Sequence, residues 1–461
     1  MDFSPPLREL NPFEQQPNLS RLYTQLCAIF PVHNEDKYSE IQKTLEAGLD
    51  RLADAFPWIA GQVVNEGAGV GSSGTYSVKK LNRRPRLVVK DLRRESDAPT
   101  LEDLRKSDYP VAMLNEDWIA PRKTLDMVFG QASDPAEVFA VQVNYISGGL
   151  LLTVATQHNV MDMTGQAELT RLLSKACKGE HFTSEELRIG NMSSAGAIEL
   201  LDDSVDVEKE LQNQSSQSSA SQPTPEGPVE TSPAPPECTW AFITFDASSL
   251  ASLKATATKE ITSDFISTDD ALTAFIWQAT IRARLNRLSP SRKITFARAI
   301  DPRRYLKELP LSYPGLVQNM AYSESTVEDM MNKPLGYAAS LLRAAVDPKT
   351  SDLERNTRAL ATLLSRSKDK SSINVTSKLD TSADIMLSSW AAVNSYEDDF
   401  GFGLGKPEMV RRPGFTPVEG LMYLLPKTPK GDVTAMVCLR KEDLDRLRCD
   451  GVFAEMGKFV G

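Results

Sequence analysis

His158 and Asp162, four residues apart in Gln157-His-Asn-Val-Met-Asp-Met-Thr-Gly165, combine residue types and spacing that could do chemistry. A histidine with a pKa near ~6.5 can take a proton from an alcohol and later return it to a leaving group at neutral pH. The chain has only three histidines, His33, His158 and His181, so an acting imidazole has few alternatives. A second reading fits the same residues. Asp162 could cap a helix that begins near Met163, its carboxylate accepting backbone N–H groups, with His158 an ordinary strand-end residue. In the catalytic reading, a tight turn would turn the Asp162 carboxylate away from His158, for instance toward an arginine, so that it shapes the loop. The local sequence leaves both open.

The flanking elements decide how such a pair would be presented. Val138–Ile146 alternates as a strand, Ser147-Gly148-Gly149 is a turn, and Leu150–His158 returns as the next strand. Leu169, Leu172, Leu173 and Ala176 recur at helical spacing from Gly165 to Cys177. His158–Thr164 is therefore a strand-to-helix connection, the kind of loop on which a rigid scaffold presents functional side chains. Upstream, Ile41, Leu45, Leu49, Leu52 and Phe56 mark an amphipathic helix over Glu40–Phe56, and Phe56–Val64 follows as turn and strand. Gly69-Val-Gly71-Ser-Ser-Gly74 matches the dinucleotide fingerprint in letters only. The alternating Thr75–Lys80 follows it where that motif needs a helix, so a hairpin loop is expected.

Thr183–Thr239 contains no aromatic residue, and Gln212–Glu237 is rich in serine, proline and acids. Such a composition cannot offset its ordering entropy by burial, which predicts a disordered crossover linker over residues 203–238. The expected domains are 1–202 and 239–461, packed on each other. In the second half, Thr239–Phe245 opens as a strand, and Ser267-Thr-Asp-Asp270 starts a helix expected to run through Leu288. Lys293–Leu306 reads as strand then turn, Asp384–Asn394 as a strand-like piece, and Asp398–Glu408 as a glycine-rich loop. A hairpin, Gly420–Arg440, and a terminal helix from Lys441 close the chain. Strands and helices interleave without a strict βαβ rhythm, a mixed α/β architecture.

Composition narrows the function classes. A chain of 461 residues, 41% hydrophobic and 25% charged, is of ordinary globular make-up and too long for one core. A net charge of −10 speaks against nucleic acid or an anionic membrane as partner, and Arg83–Arg86 and Arg93–Arg94 read as solvated charge. The amino terminus has no secretory pattern and no apolar run is long enough to span a bilayer, so a cytoplasmic protein is expected. Five scattered cysteines without C-x-x-C spacing, and so few histidines, point to reduced thiols and no metal site.

Several stretches together resemble one family. His158-Asn-Val-Met-Asp162-Met-Thr-Gly165 resembles the H-x-x-x-D motif of the BAHD acyltransferases, relatives of chloramphenicol acetyltransferase that use coenzyme A thioesters. Asp399-Phe-Gly401-Phe-Gly403 resembles their D-F-G-W-G, with Phe402 in place of tryptophan. Phe56-Pro-Trp-Ile-Ala-Gly61, Asp301-Pro-Arg303 and Ser388-Ser-Trp390 resemble three further family segments, and all five stand in family order. Leu172–Cys177, Ser267–Trp277, Tyr313–Met320, Met386–Ala391 and Asp399–Lys427 are similar to the fungal, trichothecene 3-O-acetyltransferase type.

The resemblance implies a two-domain chloramphenicol-acetyltransferase-like fold, with mixed sheets and a solvent channel between the halves. It implies acetyl transfer from acetyl-CoA to a hydroxyl of a fungal secondary metabolite, trichothecene-like or an alkaloid alcohol, in a ternary complex without an acyl-enzyme. His158 would be the general base, and Asp162 would pair with Arg303 to hold the histidine loop. Trp390 and Ser388 would be oxyanion donors, and Asp399, Gly401 and Gly403 a structural motif. Arg282, Arg284, Arg287, Arg292 and Lys293 cluster in sequence, and Arg292 and Lys293 are candidates for the coenzyme phosphates. A monomer with a small-molecule alcohol as acceptor is expected. A longer acyl-CoA, an amine acceptor, or a condensation-fold module that binds without turnover are the alternatives.

Overall fold

The computed structural model describes residues 5–125, 134–211, 216–217 and 236–461. The first half is built on a five-stranded sheet in the order Met409–Arg411, Tyr23–Pro31, Gly149–Gln157, Phe139–Ile146, Arg86–Asp91. All neighbours are antiparallel except the last pair, so the sheet is mixed. Every residue of Phe139–Ile146 and Gly149–Gln157 is buried, because both faces are covered. Val141, Val143, Leu150, Leu152 and Val154 meet the apolar stripes of two helices, Tyr38–Ala55 and Met163–Cys177. Their period-two neighbours face the other way. There Gln142 and Asn144 donate to the carbonyls of Trp118 and Ile119, which satisfies amides that burial would otherwise penalise.

The second half has a seven-stranded mixed sheet: Asn319–Thr326, Lys293–Ile300, Ile385–Ser389, Leu421–Leu424, Val433–Arg440, Cys238–Phe245, Lys458–Phe459. One face packs on helices Ala247–Thr258, Thr268–Ala283, Leu335–Ala344 and Lys441–Cys449. Thr268–Ala283 is buried almost all round, and Ser267 and Asp270 cap it reciprocally, as the sequence leads one to expect. The helix stops at Ala283 and not at Leu288 because Arg284 is fully buried there. Its guanidinium reaches the carbonyls of Ala383 and Asp384, which a continuing surface helix could not do. Gly69–Gly74 is a hairpin loop between Gly61–Gly69 and Ser72–Lys80, as expected.

Three features depart from the sequence-based division. Met409–Arg411 belongs by sequence to the second half but pairs with Tyr23–Pro31 in the first-half sheet. Phe400 and Phe402 follow it into the first-half core, where both rings meet Phe30 edge-on at 6.1 and 6.0 Å. Residues 400–402 and 409–411 thus pack with the first half although they follow 239 in sequence. The linker expected over 203–238 also begins too early, since Val207–Glu210 is helical and Val207 and Leu211 are buried beside helix Leu353–Arg366. Most of that stretch, 212–215 and 218–235, lies outside the described residues. After Cys449 the chain adds helix Gly451–Met456 and the edge strand Lys458–Phe459, beyond the single terminal helix expected.

The crossing rests on its aromatic anchor. Phe400→Ala should cost about 3–5 kcal/mol of stability through the cavity it leaves, read as a lower urea midpoint with an unchanged slope.

Candidate functional site

The histidine loop is anchored at both ends by backbone geometry. The His158 N–H donates to the carbonyl of Leu22 at 2.8 Å, and Asp162 is the N-cap of helix Met163–Cys177, accepting from the Gly165 N–H at 2.9 Å. Both local readings of the aspartate are thus true together. It caps the helix, and it also forms an ion pair with Arg303 across the two halves at 2.9 Å. Its second oxygen accepts from the Val317 N–H at 2.9 Å.

Arg303 has no exposed side-chain surface. Besides Asp162 it donates to Asp301 at 2.8 Å and to the carbonyls of Tyr313 and Gly315 at 3.1 and 2.6 Å. Burial works against its charge, but the carboxylates of Asp162 and Asp301 hold its pKa above the ordinary guanidinium range. Burial pushes the Asp162 carboxyl up, and Arg303 with the two N–H donors opposes that. Gly165 is required by contact. A Cβ there would lie 2.0 Å from the Pro314 carbonyl oxygen, so the helix start can touch the Tyr313–Val317 loop only as glycine.

His158 is half-buried, and its Nδ1 lies 3.1 Å from the Met161 carbonyl. A carbonyl only accepts, so Nδ1 carries the proton and Nε2 is left with a free lone pair. Burial lowers the imidazole pKa, Arg412 adds to this, and Asp162 and the Met161 carbonyl oppose it. The ring is therefore held neutral.

His158 lines a cavity of about 380 Å³ between the halves. Ser388 and Trp390, at the end of strand Ile385–Ser389, line it as well. The Trp390 indole N–H does not stand free but donates to Ser388 Oγ at 3.0 Å. That leaves the serine hydroxyl hydrogen as the donor toward the cavity. Arg412 is also in the wall, fully buried, with its guanidinium over the rings of Phe415, Tyr423 and Trp390.

A neutral imidazole and a hydroxyl thus face one cavity between two mixed-sheet bodies, in a chain with clear relatives among known proteins. The model of the Transferase family matches residues 107–452, and that of the trichothecene 3-O-acetyltransferase-like N-terminal domain matches residues 22–177. The chain belongs to the Transferase family, the BAHD acyltransferases. It is 49% identical to O-acetyltransferase dmxR13 of Cryptosporiopsis sp. over 97% of its length and 96% of that protein. It is 47% identical to trichothecene 3-O-acetyltransferase TRI101 of Fusarium sporotrichioides, over 98% of this chain and 97% of the other. The crystal structure of the F. sporotrichioides TRI101 complex with coenzyme A and T-2 superimposes with a TM-score of 0.90, at 46% identity, covering 98% of this chain and all of that one.

The remaining residues expected in this acyltransferase divide sharply. Asp399, Gly401 and Gly403 do not line the cavity. Phe400 and Gly401 have φ of 53° and 66°, and the Phe400 N–H donates to Ser174 Oγ at 3.0 Å. The motif is a left-handed turn that delivers its phenylalanines to the core. Arg292 is exposed and paired with Asp380 at 2.6 Å, and Lys293 is exposed; neither lines the cavity. Arg282 and Arg287 pair with Asp450 and Asp443, each at 2.7 Å, and Arg284 is buried. Arg282, Arg284, Arg287 and Arg292 thus have partners within the protein, while Lys293 stands exposed outside the cavity.

Two residues were not found from sequence. Arg412 stands in Val410-Arg-Arg-Pro413, which reads as surface charge unless its aromatic neighbours are known. Glu14, fully buried, accepts from the Leu316 N–H at 3.2 Å, and its own carbonyl accepts from Asn159 at 3.1 Å. It ties the amino-terminal segment to both loops of the site. A capping pattern around Asn11 was its only sequence signal.

Asp162→Asn leaves Arg303 with Asp301 alone and should cost on the order of 3 kcal/mol. The thermal midpoint should fall, and turnover with it. An unchanged midpoint would mean that the pair does not hold the loop.

Proposed function

We propose that this acyltransferase moves the acetyl group of acetyl-CoA to a hydroxyl of a fungal secondary metabolite, directly and without an acyl-enzyme. The observation that carries the reading is the tautomer of His158. With Nδ1–H fixed on the Met161 carbonyl, Nε2 is an unprotonated base in the cavity wall. A volume of about 380 Å³ suits a thioester end and a compact acceptor. TRI101 relatives bound to coenzyme A with T-2 or with deoxynivalenol support both the donor class and an oxygen-rich alcohol as acceptor.

In this mechanism His158 Nε2 takes the hydroxyl proton as the oxygen attacks the thioester carbonyl. Negative charge then develops on that carbonyl oxygen, where donors already in place are most effective. Ser388 supplies its O–H, and the Trp390 N–H bound to Ser388 Oγ polarises it. The imidazolium returns its proton to the leaving thiolate. Asp162 takes no part in proton transfer, because its oxygens are engaged with Arg303, Gly165 and Val317. Burial of His158 favours the neutral base at the start of each cycle.

Mass spectrometry of acetyl-CoA reactions with sesquiterpenoid and alkaloid alcohols should find one acceptor gaining an acetyl group. His158→Ala should lower kcat/KM by about 10²–10⁴-fold with an unchanged circular dichroism spectrum. The acid limb of kcat/KM should lie below the ordinary histidine value of ~6.5, since the folded pKa is lowered. No acetylated product from any acceptor, with no coenzyme A released, would favour a binding module.

The relay orders two variants. Ser388→Ala should cost about 10²–10³ in kcat. Trp390→Phe, which removes only the polarising donor, should cost less. The reverse order in kcat would place the indole N–H itself on the oxyanion.

A further inference from the structure

Arg412 follows the edge strand Met409–Arg411 and is 1% exposed, yet its side chain forms part of the cavity wall. Its guanidinium carbon lies 4.0 Å from the ring centre of Phe415, 4.7 Å from Tyr423 and 5.7 Å from Trp390. Its polar contacts are few and long. Nη1 reaches Thr124 Oγ1 and the Pro413 carbonyl, both at 3.5 Å, and Nε has no partner. Among the described residues no carboxylate stands within ion-pair distance of it.

The other charged side chains of the wall contrast with it. Asp162 and Asp301 both face into Arg303, so their charge is answered within the protein. Arg412 is out of water and caged by aromatic faces; the buried Glu116 carboxylate, bound to the Thr124 N–H, feels its charge without bonding to it, so the guanidinium keeps N–H donors to give. Such a group is costly unless something satisfies it.

We propose that Arg412 is a ligand-binding residue of the cavity, donating its free guanidinium N–H to an electron-rich oxygen of a small molecule held beside His158. The inference rests on the acyl-transfer reading above, and adds to it a recognition group. Two molecules present such an oxygen: the acyl thioester through its carbonyl, and an acceptor through a carbonyl, ether or ester oxygen. A protonated amine would meet a cation in the wall in place of an acceptor. The residue thus selects for oxygen and against positive charge, whichever molecule it holds.

Calorimetry on wild type, Arg412→Met and Arg412→Lys separates the sources without relying on turnover. The probes are acetyl-CoA, ethyl-CoA, which lacks the carbonyl oxygen, and deoxynivalenol added with coenzyme A present. If the thioester is held, wild type binds acetyl-CoA more tightly than ethyl-CoA and Arg412→Met abolishes the difference. If the acceptor is held, both coenzyme A compounds bind all three proteins alike. Deoxynivalenol then binds Arg412→Met at least about tenfold more weakly, with partial rescue in Arg412→Lys.

Unchanged affinity for all three probes in Arg412→Met overturns the proposal, as does a fall in thermal midpoint without a change in binding. Wild type that binds none of the probes overturns it too. Deoxynivalenol that binds through Arg412 but is never acetylated leaves the residue assigned and overturns acetyl transfer instead.

Discussion

The site depends on one buried ion pair. Asp162 sits at the start of a first-half helix and Arg303 in a second-half turn, and they meet at 2.9 Å with almost no solvent. Two charges brought out of water are tolerable only if every remaining donor and acceptor is used. Here they are. Gly165 and Val317 give N–H groups to the carboxylate, while Asp301 and the carbonyls of Tyr313 and Gly315 take those of the guanidinium. Because the partners lie on both halves, this satisfaction exists only in the docked molecule. The imidazole four residues upstream inherits its position from that docking.

Other tethers make the docking hard to slip. Glu14 holds Leu316 and Asn159 at once, so the amino-terminal segment grips the arginine loop and the histidine loop together. The strand Met409–Arg411 crosses from the second half to complete the first-half sheet, and the Asp399–Gly403 turn gives it direction. That turn is prominent in sequence for a mechanical reason. Phe400 must adopt φ of 53° and Gly401 φ of 66° to send two rings into the far core. Arg412 comes next in the chain, so the crossing also brings a cation to the cavity.

What could be read from sequence follows from how local each cause is. Helices Tyr38–Ala55 and Met163–Cys177 carry their apolar stripes in consecutive turns, and the Phe139–Gln157 hairpin carries its alternation and its turn glycine, so each is visible within its own segment. The histidine was visible because imidazoles are scarce and its loop is flanked by two clear elements. The strand exchange was not visible, since three residues have no periodicity and their partner is almost 400 residues away. The basic run around Arg292 is less legible. Adjacent charges in sequence suggest a shared face, but Asp380, Asp450, Glu419 and the carbonyls near Asp384 each engage a different arginine of the run. Arg412 was hidden for the complementary reason, as its cage comes from residues 390, 415 and 423.

The net charge of the chain says little about the field inside the cavity. A protein of net charge −10 lines the cavity with two aspartates paired to Arg303 and with Arg412, which the buried Glu116 carboxylate opposes without a direct ion pair. In a low-dielectric wall a nearby charge is felt more strongly than a solvated carboxylate outside. Arg412 acts in two ways on one reaction. It disfavours a protonated His158 before the hydroxyl arrives, and it favours negative charge on oxygen as the transfer proceeds. In the proposed mechanism the imidazolium formed in between is opposed by the same cation and supported by the Met161 carbonyl and Asp162. The balance holds because the support for His158 is fixed by the loop, whereas the partner of Arg412 comes and goes with the ligand.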